Sequence, residues 1–256
     1  MHSNVQHTFK LTLLVLIGCG CSCLWGAEDL VSPNIPTNTI AWAETNLVLA
    51  RKQCTTAPTN SLAAWQLGRA CFDWAPLLKD PKAQEKIYTE GVAACRRGLI
   101  LDPKSGPTHY YLGMNIGRVA DLKRNLAAYG MVKDVERAFQ QAAKLDENFA
   151  FGGPDRNLGL LYQHAPGWPL SVGNQKQARK HLERAAKLAP DYPENRLNLA
   201  EAWLQWHEPK LLQQELVAIQ RLWPGAKTNF TGVEWELDWA DWESRRAKLQ
   251  SASKSK

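Results

Sequence analysis

The chain has 256 residues, a formal net charge of +6 and a pI near 9.0, and 45% of its residues are hydrophobic. This length and composition are those of a globular chain with a sizeable core. Nucleic-acid-binding proteins typically cluster Lys and Arg beside stacking aromatic residues. The sequence has no dense basic run of that kind, and its mild charge argues against nucleic-acid binding.

The first eighteen residues have the order of a bacterial lipoprotein signal peptide. A weakly basic segment ends at Lys10, an apolar run follows at residues 11–17, and the residues LIGC at 16–19 resemble a lipobox. We therefore expect cleavage after residue 18 and lipidation of Cys19. Because Gly20 rather than Asp follows, the resemblance to Gram-negative lipoproteins favours the outer membrane, facing the periplasm.

Two other interpretations of the N-terminus stay open. A membrane-spanning helix needs about 20 apolar residues, whereas residues 11–27 are interrupted by Gly, Cys and Ser. Plain secretion with cleavage after Ala27 would put Trp25 at a position that favours a small side chain. Both alternatives fit the sequence less well than lipidation, so a membrane attachment through an N-terminal lipid is the prediction.

The segment after the proposed lipidation site is predicted to be a tether. Residues 28–39 contain two Pro and several turn formers without helical periodicity, which makes residues 19–39 a lipidated tether. The folded domain is predicted for residues 40–250, with a first helix over 40–52 and a helix N-cap at Asn60 or Ser61. Residues 251–256 have too few apolar side chains to pack, and we predict that they are disordered.

Two copies of one helical pattern lie between residues 177 and 224. Ala178, Leu182 and Ala185 precede Pro190, and the next helix carries Leu199 and Ala200 on one face. The spacing from Pro190 to Pro224 is 34 residues, which is the period of the tetratricopeptide repeat (TPR). The sequence therefore predicts an all-α fold, a TPR α-solenoid in which neighbouring helical hairpins stack.

Earlier parts of the chain follow the same pattern in longer units. Residues 74–84 lengthen the first hairpin, and residues 121–131 lengthen the second as an extended helix or a protruding loop. The pattern predicts about four hairpins with lengthened units. Residues Trp235, Trp239 and Trp242 recur on one helical face, which indicates a C-terminal capping helix; a partner-binding aromatic stripe is the alternative.

Motifs for chemistry are absent from the sequence. Cys19, Cys21 and Cys23 lie at the processing site. Cys54, Cys71 and Cys95 are dispersed, and their spacing is not that of a haem-attachment or zinc-binding motif. Two of these three could form a disulfide, or all three could be buried thiols. No nucleophile elbow, phosphate loop or HExxH motif occurs. We predict a chain that is not an enzyme and that uses no metal or cofactor.

The segments least explained by packing flank the first helix of the third hairpin. Before it lies GGPDRN with Asp155, Arg156 and Asn157, and after it lies APGWPL with Trp168 between two Pro. The first segment suits a sharp bend into a helix, and Trp168 either folds back onto the protein or contacts a ligand. We expect the two segments to meet at one end of the solenoid in a ligand or partner site. The predicted binding residues are Asp155, Arg156, Asn157, Trp168, Tyr162, Tyr111 and Asn115.

Several motifs together resemble TatT-type TPR lipoproteins, which are associated with TRAP transporters. They are the lipobox, the DPKSGPTHYYLG turn at residues 102–113, the loops GGPDRNLGLLY and APGWPLSVG, and the APDYPENRLNLAEAW repeat. The resemblance covers residues 65–224. It implies a non-enzymatic periplasmic component that self-associates as a homo-oligomer, contacts a solute-binding protein and holds a small hydrophobic or acidic ligand. The other expectation is a general envelope scaffold that binds a protein through its concave face, since fold alone does not decide function.

Overall fold

The computed structural model describes residues 36–123 and 126–254, which form ten α-helices and two 3-10 helices. The α-helices are α1 (Thr37–Thr56), α2 (Ser61–Trp74), α3 (Pro81–Leu101), α4 (Gly106–Lys123), α5 (Leu126–Leu145), α6 (Phe149–His164), α7 (Gln175–Leu188), α8 (Pro193–Gln205), α9 (Pro209–Asn229) and α10 (Glu236–Lys254). The 3-10 helices are Ala75–Leu77 and Val233–Trp235. The predicted signal peptide, Cys19 and most of the predicted tether lie outside the described residues.

Four helical hairpins, α2–α3, α4–α5, α6–α7 and α8–α9, stack in chain order between α1 and α10. Side-chain caps start several of these helices. The Asn60 side chain accepts a hydrogen bond from the Leu62 amide at the start of α2, and Asn174 does the same for the Gln177 amide in α7. The predicted all-α TPR solenoid of about four hairpins is confirmed.

Small residues let the two helices of a hairpin approach closely. A Cβ atom on Gly159 of α6 would lie 2.6 Å from Cγ of Leu182 in α7, and one on Gly113 of α4 would lie 2.8 Å from the Phe139 ring in α5. Both large partners are fully buried. Glycine at these positions therefore lets a large side chain of the neighbouring helix fill the space.

The helix ends differ from the sequence predictions in several places. The lengthened second hairpin is made of two extended helices, because α4 continues to Lys123 and α5 begins at Leu126. Helix α9 continues past Pro224 to Asn229, and Trp223 and Ala226 on either side of the proline are buried.

The chain ends of the domain also extend further than predicted. Helix α1 begins at Thr37 instead of residue 40. The disorder predicted from Ser251 is not found as far as Lys254, where α10 ends. Leu249 is 2% exposed, so packing of α10 persists to within a few residues of its end. Composition alone does not predict this, because the last turns are held by tertiary contacts and not by their own apolar content.

The predicted C-terminal cap is present. Helix α10 packs against α8 and α9, and Trp242 is buried at 1% exposure with its ring 5.1 Å from that of Trp239. Arg245 donates two hydrogen bonds of 2.8 Å to the Glu201 carboxylate of α8. Trp235 lies in the preceding 3-10 helix, so the aromatic stripe begins one turn before α10.

The cap also reaches back to the first helix. The Asn38 amide and the Thr39 hydroxyl, both in the first turn of α1, donate to the two carboxylate oxygens of Glu236 at 2.7 and 2.8 Å. The 3-10 helix before α10 packs against α1 as well. The two ends of the solenoid therefore meet across its concave face, which becomes a partly open pocket.

Cys54, Cys71 and Cys95 are free and buried. Burial raises the pKa of the Cys95 thiol to about 12, which keeps it protonated and unreactive. Of the two alternatives that the sequence allowed, the buried thiol is the one present. Among residues 36–123 and 126–254, no helix is both long and apolar enough to span a bilayer.

Candidate functional site

The concave face contains a partly open cavity of about 390 Å³. First helices of the hairpins form its walls, and the 3-10 helix before α10 together with the first turn of α10 forms its roof. This volume falls in the range of roughly 300–1,000 Å³ that is typical of small-molecule sites. The lining residues are Trp42, Arg69, Phe72, Asp73, Tyr110, Tyr111, Met114, Phe149, Ala150, Phe151, Arg156, Asn157, Leu160, Tyr192, Glu194, Glu234, Trp235 and Asp238.

Aromatic rings supply much of the wall, and they are held by one another. Tyr111 lies parallel to Trp65 with ring centroids 5.8 Å apart. Phe151 stacks on Tyr192 at 4.6 Å, and Trp235 packs edge to face against Phe151 at 6.1 Å. Rings in such contacts have few free rotamers, so the wall is largely preorganised for a ligand.

One wall is built from an unusual backbone turn, residues 149–153, which we call the entrance turn. Ala150, Phe151 and Gly152 all have left-handed conformations, with φ of 51°, 59° and 72°. Such a conformation costs a non-glycine residue roughly 1–2 kcal/mol, and strained residues of this kind concentrate at functional sites. The regular part of α6 begins only after this turn, with Pro154 in its first turn.

Arg156 and Asn195 hold the entrance turn in place. Arg156 Nη1 donates to the Ala150 and Phe151 carbonyls at 3.2 and 3.3 Å and to Asn195 Oδ1 at 3.1 Å. Asn195 Nδ2 donates to the Phe151 carbonyl at 2.9 Å. These bonds satisfy carbonyl groups that the left-handed turn removes from the helix, which is why the turn persists.

Acidic side chains outnumber basic side chains among the residues that line the cavity. Arg69 Nε lies 3.3 Å from Asp73 Oδ2, and Arg156 Nε lies 3.8 Å from Glu194 Oε2. Asp238 is 4% exposed, and its Oδ1 atom has no hydrogen-bond partner within the part of the chain that the structure describes. The cavity therefore holds two guanidinium groups and a larger number of carboxyl groups.

Burial changes the protonation of two of these carboxyl groups. It raises the pKa of Asp73 to about 6, against the lowering effect of Arg69. It also raises the pKa of Asp238 well above its usual value, and the nearby Glu194 carboxylate adds to this effect. Asp73 is therefore able to exchange a proton near neutral pH, and Asp238 holds its proton to a higher pH than an exposed aspartate does.

Three of the predicted binding residues line the cavity: Tyr111, Arg156 and Asn157. Asn157 is 3% exposed, and its side-chain amide donates to the Tyr110 hydroxyl at 3.2 Å and to the Gly153 carbonyl at 2.9 Å. Arg156 likewise uses Nη1 for internal acceptors. Both residues shape the wall at the same time as they border the space.

The remaining buried residues of the predicted set lie outside the cavity lining. Asp155 is fully buried and pairs with His181 at 2.7 Å and with Arg184 at 3.1 Å, which joins α6 to α7. Asn115 donates to the Gly68 and Tyr111 carbonyls at 2.9 and 2.8 Å. The Tyr162 hydroxyl donates to Glu136 Oε1 at 2.6 Å. In this structure all three join helices.

Trp168 lies in a different place from Arg156. It is 88% exposed, in the loop of residues 165–174, which we call the exit loop. The regular part of α6, residues 153–164, separates the two segments by about 18 Å at 1.5 Å per residue. The predicted meeting of the two segments in one site is therefore wrong, because segments that flank one straight helix lie at its opposite ends.

Much of the cavity was missed at the sequence level. The spacing of Arg69 and Asp73 on α2, and of Tyr110 and Met114 on α4, places each pair on one side of a first helix, where the concave face of a solenoid lies. That periodicity could have identified these four residues from the sequence. No local signal pointed to Glu234 and Asp238, and Trp235 was noted only as part of the aromatic stripe; all three reach the cavity because the chain ends meet.

No protein-family model and no curated protein sequence matches the chain. Among solved structures, TTC0263, a thermophilic TPR protein in Thermus thermophilus, is similar over 80% of this chain and 88% of its own, with a TM-score of 0.56 and 15% identity. MamA is similar over 72% of this chain and 88% of its own, with a TM-score of 0.43 and 15% identity. The chain has the fold of a TPR protein, on the likeness to TTC0263.

Proposed function

We propose that this chain is a non-enzymatic binding protein that holds a small ligand in the partly open cavity of its concave face. The observation that carries the proposal is the contact of Glu236 with Asn38 and Thr39, which brings the two chain ends together beside a cavity of about 390 Å³. Aromatic walls with a few convergent polar groups are typical of small-molecule sites. The strained entrance turn at the wall supports the same function.

We also propose that the protein is located in the bacterial cell envelope. The lipobox motif supports lipidation at Cys19 and a tether to the membrane, with the folded domain on the periplasmic side of the outer membrane. A lipid anchor would keep the cavity near a membrane surface while leaving the domain free to meet periplasmic partners. Radiolabelled palmitate uptake by the wild type, and its loss in Cys19→Ala, test this part independently of ligand binding.

The partner named in this proposal is the periplasmic solute-binding protein of a TRAP-type transport system. Support comes from the resemblance of residues 65–224 to TatT-type lipoproteins. In this role the chain would receive or deliver the transported solute, and self-association as a homo-oligomer belongs to the same expectation. Co-purification of the lipidated protein with a solute-binding protein from envelope membranes is the expected result.

Native mass spectrometry of the full-length protein, isolated from its membranes in mild detergent, tests the binding function. Wild type is expected to carry a noncovalent mass that denaturation releases. Met114→Trp enlarges a side chain that lines the cavity and should remove that mass. Ile100→Trp, at a position that is 81% exposed, is the matched control and should retain it.

Two results would count against ligand binding. One is a Met114→Trp protein that melts like the wild type and still carries the same mass. The other is a wild-type protein, gently isolated, that releases nothing on denaturation. Circular dichroism melting of each variant separates loss of ligand from loss of fold.

A protein-binding scaffold is the second candidate, and the exit loop favours it. Trp168 is 88% exposed and Leu170 is 74% exposed, two residues apart in a loop outside the cavity. Exposed large apolar side chains grouped on one loop are typical of contact sites. If this candidate is correct, Trp168→Ala should reduce recovery of envelope partners without changing the ligand mass.

A further inference from the structure

The charged groups of the cavity favour a particular class of ligand. Arg69 pairs with Asp73 at 3.3 Å, and the pKa of its guanidinium group is raised by Tyr111, by Asp73 and, least of these, by Glu234. Arg156 faces Glu194 and donates to backbone carbonyls. Both cations are thus matched within the protein, and the cavity offers an incoming anion little unneutralised positive charge.

Asp238 is a carboxyl group of the cavity that these ion pairs do not include. It is 4% exposed and lies among the cavity-lining residues, and its Oδ1 atom has no hydrogen-bond partner in the described part of the chain. An acidic residue in the first turn of a helix such as α10 is favoured by the helix dipole. That preference does not explain the burial, because a buried carboxyl group without a partner is costly. A carboxyl group kept at this cost on a cavity wall is typical of a binding site.

Aromatic faces stand next to this carboxyl group. Tyr192 and Trp235 line the same space as Asp238, and their ring centroids are 6.3 Å apart. The faces of Tyr192 are already in use, since the guanidinium carbon of Arg156 lies 5.1 Å from its centroid and Phe151 stacks on the ring at 4.6 Å, so a ligand would meet Trp235 and the exposed part of Phe151. Aromatic rings beside a carboxylate are the combination that recognises organic ammonium groups in proteins.

We infer that the cavity binds an organic cation, whose ammonium group pairs with Asp238 while its apolar part lies against the aromatic wall. This inference rests on the proposed binding function and specifies its ligand. It replaces the hydrophobic or acidic ligand that the family resemblance implied, because the matched arginines leave no free partner for an acid. The site is a new assignment for Asp238, Trp235 and Phe151.

A set of three probes with one skeleton tests the charge preference. 2-Phenylethylamine is a cation at neutral pH, 2-phenylethanol is neutral and phenylacetate is an anion. Calorimetric titration of the full-length detergent-solubilised protein, after removal of any endogenous ligand, measures the affinity for each. We expect the amine to bind at least about tenfold more tightly than the alcohol, and phenylacetate to bind most weakly.

Two matched substitutions in α10 identify the group that pairs with the cation. Asp238→Asn keeps the size of the side chain and should reduce affinity for the amine to that for the alcohol, while affinity for the alcohol stays the same. Glu243→Gln is the control, since Glu243 lies in the same helix, is largely exposed and pairs with Lys227 outside the cavity lining. It should leave the binding of all three probes unchanged.

The pH dependence of the affinity for the amine distinguishes a binding role of Asp238 from a purely structural role. Burial, Glu194, Asp241 and Asp73 all raise the pKa of Asp238, and Arg156 lowers it. At acidic pH the neutral carboxyl group offers no charge to the amine, so affinity should rise as the pH rises through the raised pKa of Asp238. Asp238→Asn should lose most of this rise; Asp73→Asn should keep part of it, because Asp73 titrates near pH 6.

The outcomes separate this inference from the proposed function. Tightest binding of phenylacetate, equal binding of the three probes, or an amine affinity unchanged in Asp238→Asn would overturn the cation assignment. A ligand mass that is released from wild type and absent from Met114→Trp would still support the binding function in those cases. The proposed function is contradicted only by the two native mass spectrometry results described for it.

Discussion

The entrance turn and the exit loop lie at the two ends of the regular part of α6, and both contain two glycines, with Pro154 directly after the first segment and two prolines within the second. In the structure they differ in almost every respect. The entrance turn is braced by Arg156 and Asn195 and forms part of a cavity wall. The exit loop carries Trp168 and Leu170 into solvent. Similar composition has thus produced one braced internal turn and one exposed surface loop.

The difference between the two segments comes from their partners and not from their own residues. Across the entrance turn lie α8 and the C-terminal cap, which supply Asn195, Tyr192 and Trp235. The exit loop is held mainly by its own backbone, with the Gly173 amide donating to the Pro166 carbonyl at 2.8 Å. A segment held in this way keeps its side chains available for contact with another molecule.

We expect the largest effect on stability from Arg156→Ala, which removes the brace of the entrance turn. Removal of this guanidinium group takes a donor from the Ala150 carbonyl and from Asn195 Oδ1 and leaves the partly buried Glu194 without its cation. We expect a loss of about 3 kcal/mol in the free energy of unfolding, measured by urea denaturation. Arg137→Ala breaks an exposed ion pair with Asp134 and is the control, expected within about 0.5 kcal/mol of wild type. Similar stability of the two variants would show that Arg156 does not brace the turn.

A smaller effect is expected from matched glycine substitutions. Gly152 has a φ of +72°, and a Cβ atom there would lie 3.3 Å from the Ala185 carbonyl oxygen. Gly152→Ala should therefore cost about 1–2 kcal/mol. Gly167 of the exit loop has only the Gly173 carbonyl oxygen near such an atom, at 3.7 Å, and Gly167→Ala should change stability by less than about 0.5 kcal/mol. Thermal melting of both variants side by side makes the measurement, and an equal loss would contradict this contrast.

The smallest effect on stability is expected for the double variant Trp168→Ala and Leu170→Ala. Both side chains are largely exposed, so the free energy of unfolding should stay within about 0.5 kcal/mol of wild type. Affinity for 2-phenylethylamine should also be unchanged, since neither residue lines the cavity. A marked drop in melting temperature would mean that the exit loop packs against the protein in solution.

The sequence predicted the repeat architecture well, because hairpin stacking depends on local periodicity. Leu182 and Ala185 lie on the buried face of α7 as expected, and Asn60 caps α2. Helix ends were less predictable where packing outweighs local preference. Pro224 removes one helical hydrogen bond, yet burial of Trp223 and Ala226 keeps α9 helical past it.

The candidate site was only partly predictable for the same reason. Arg156 and Asn157 were singled out because their segment is poorly explained by a regular helix, and both line the cavity. Trp168 was singled out by the same criterion and lies elsewhere. Unusual local sequence therefore marked where the chain departs from the repeat, without showing which departure faces the concave side.

The sequence by itself determined the class of fold, the number of hairpins and the aromatic cap, because each depends on a pattern that recurs within one or two helices. Only the tertiary structure decided that α1 and Glu236 meet beside a cavity with Asp238 on its wall. The contact of Asn38 with Glu236 joins residues 198 positions apart. It depends on the accumulated rotation from one repeat to the next, a property of the stacked hairpins that no single segment encodes.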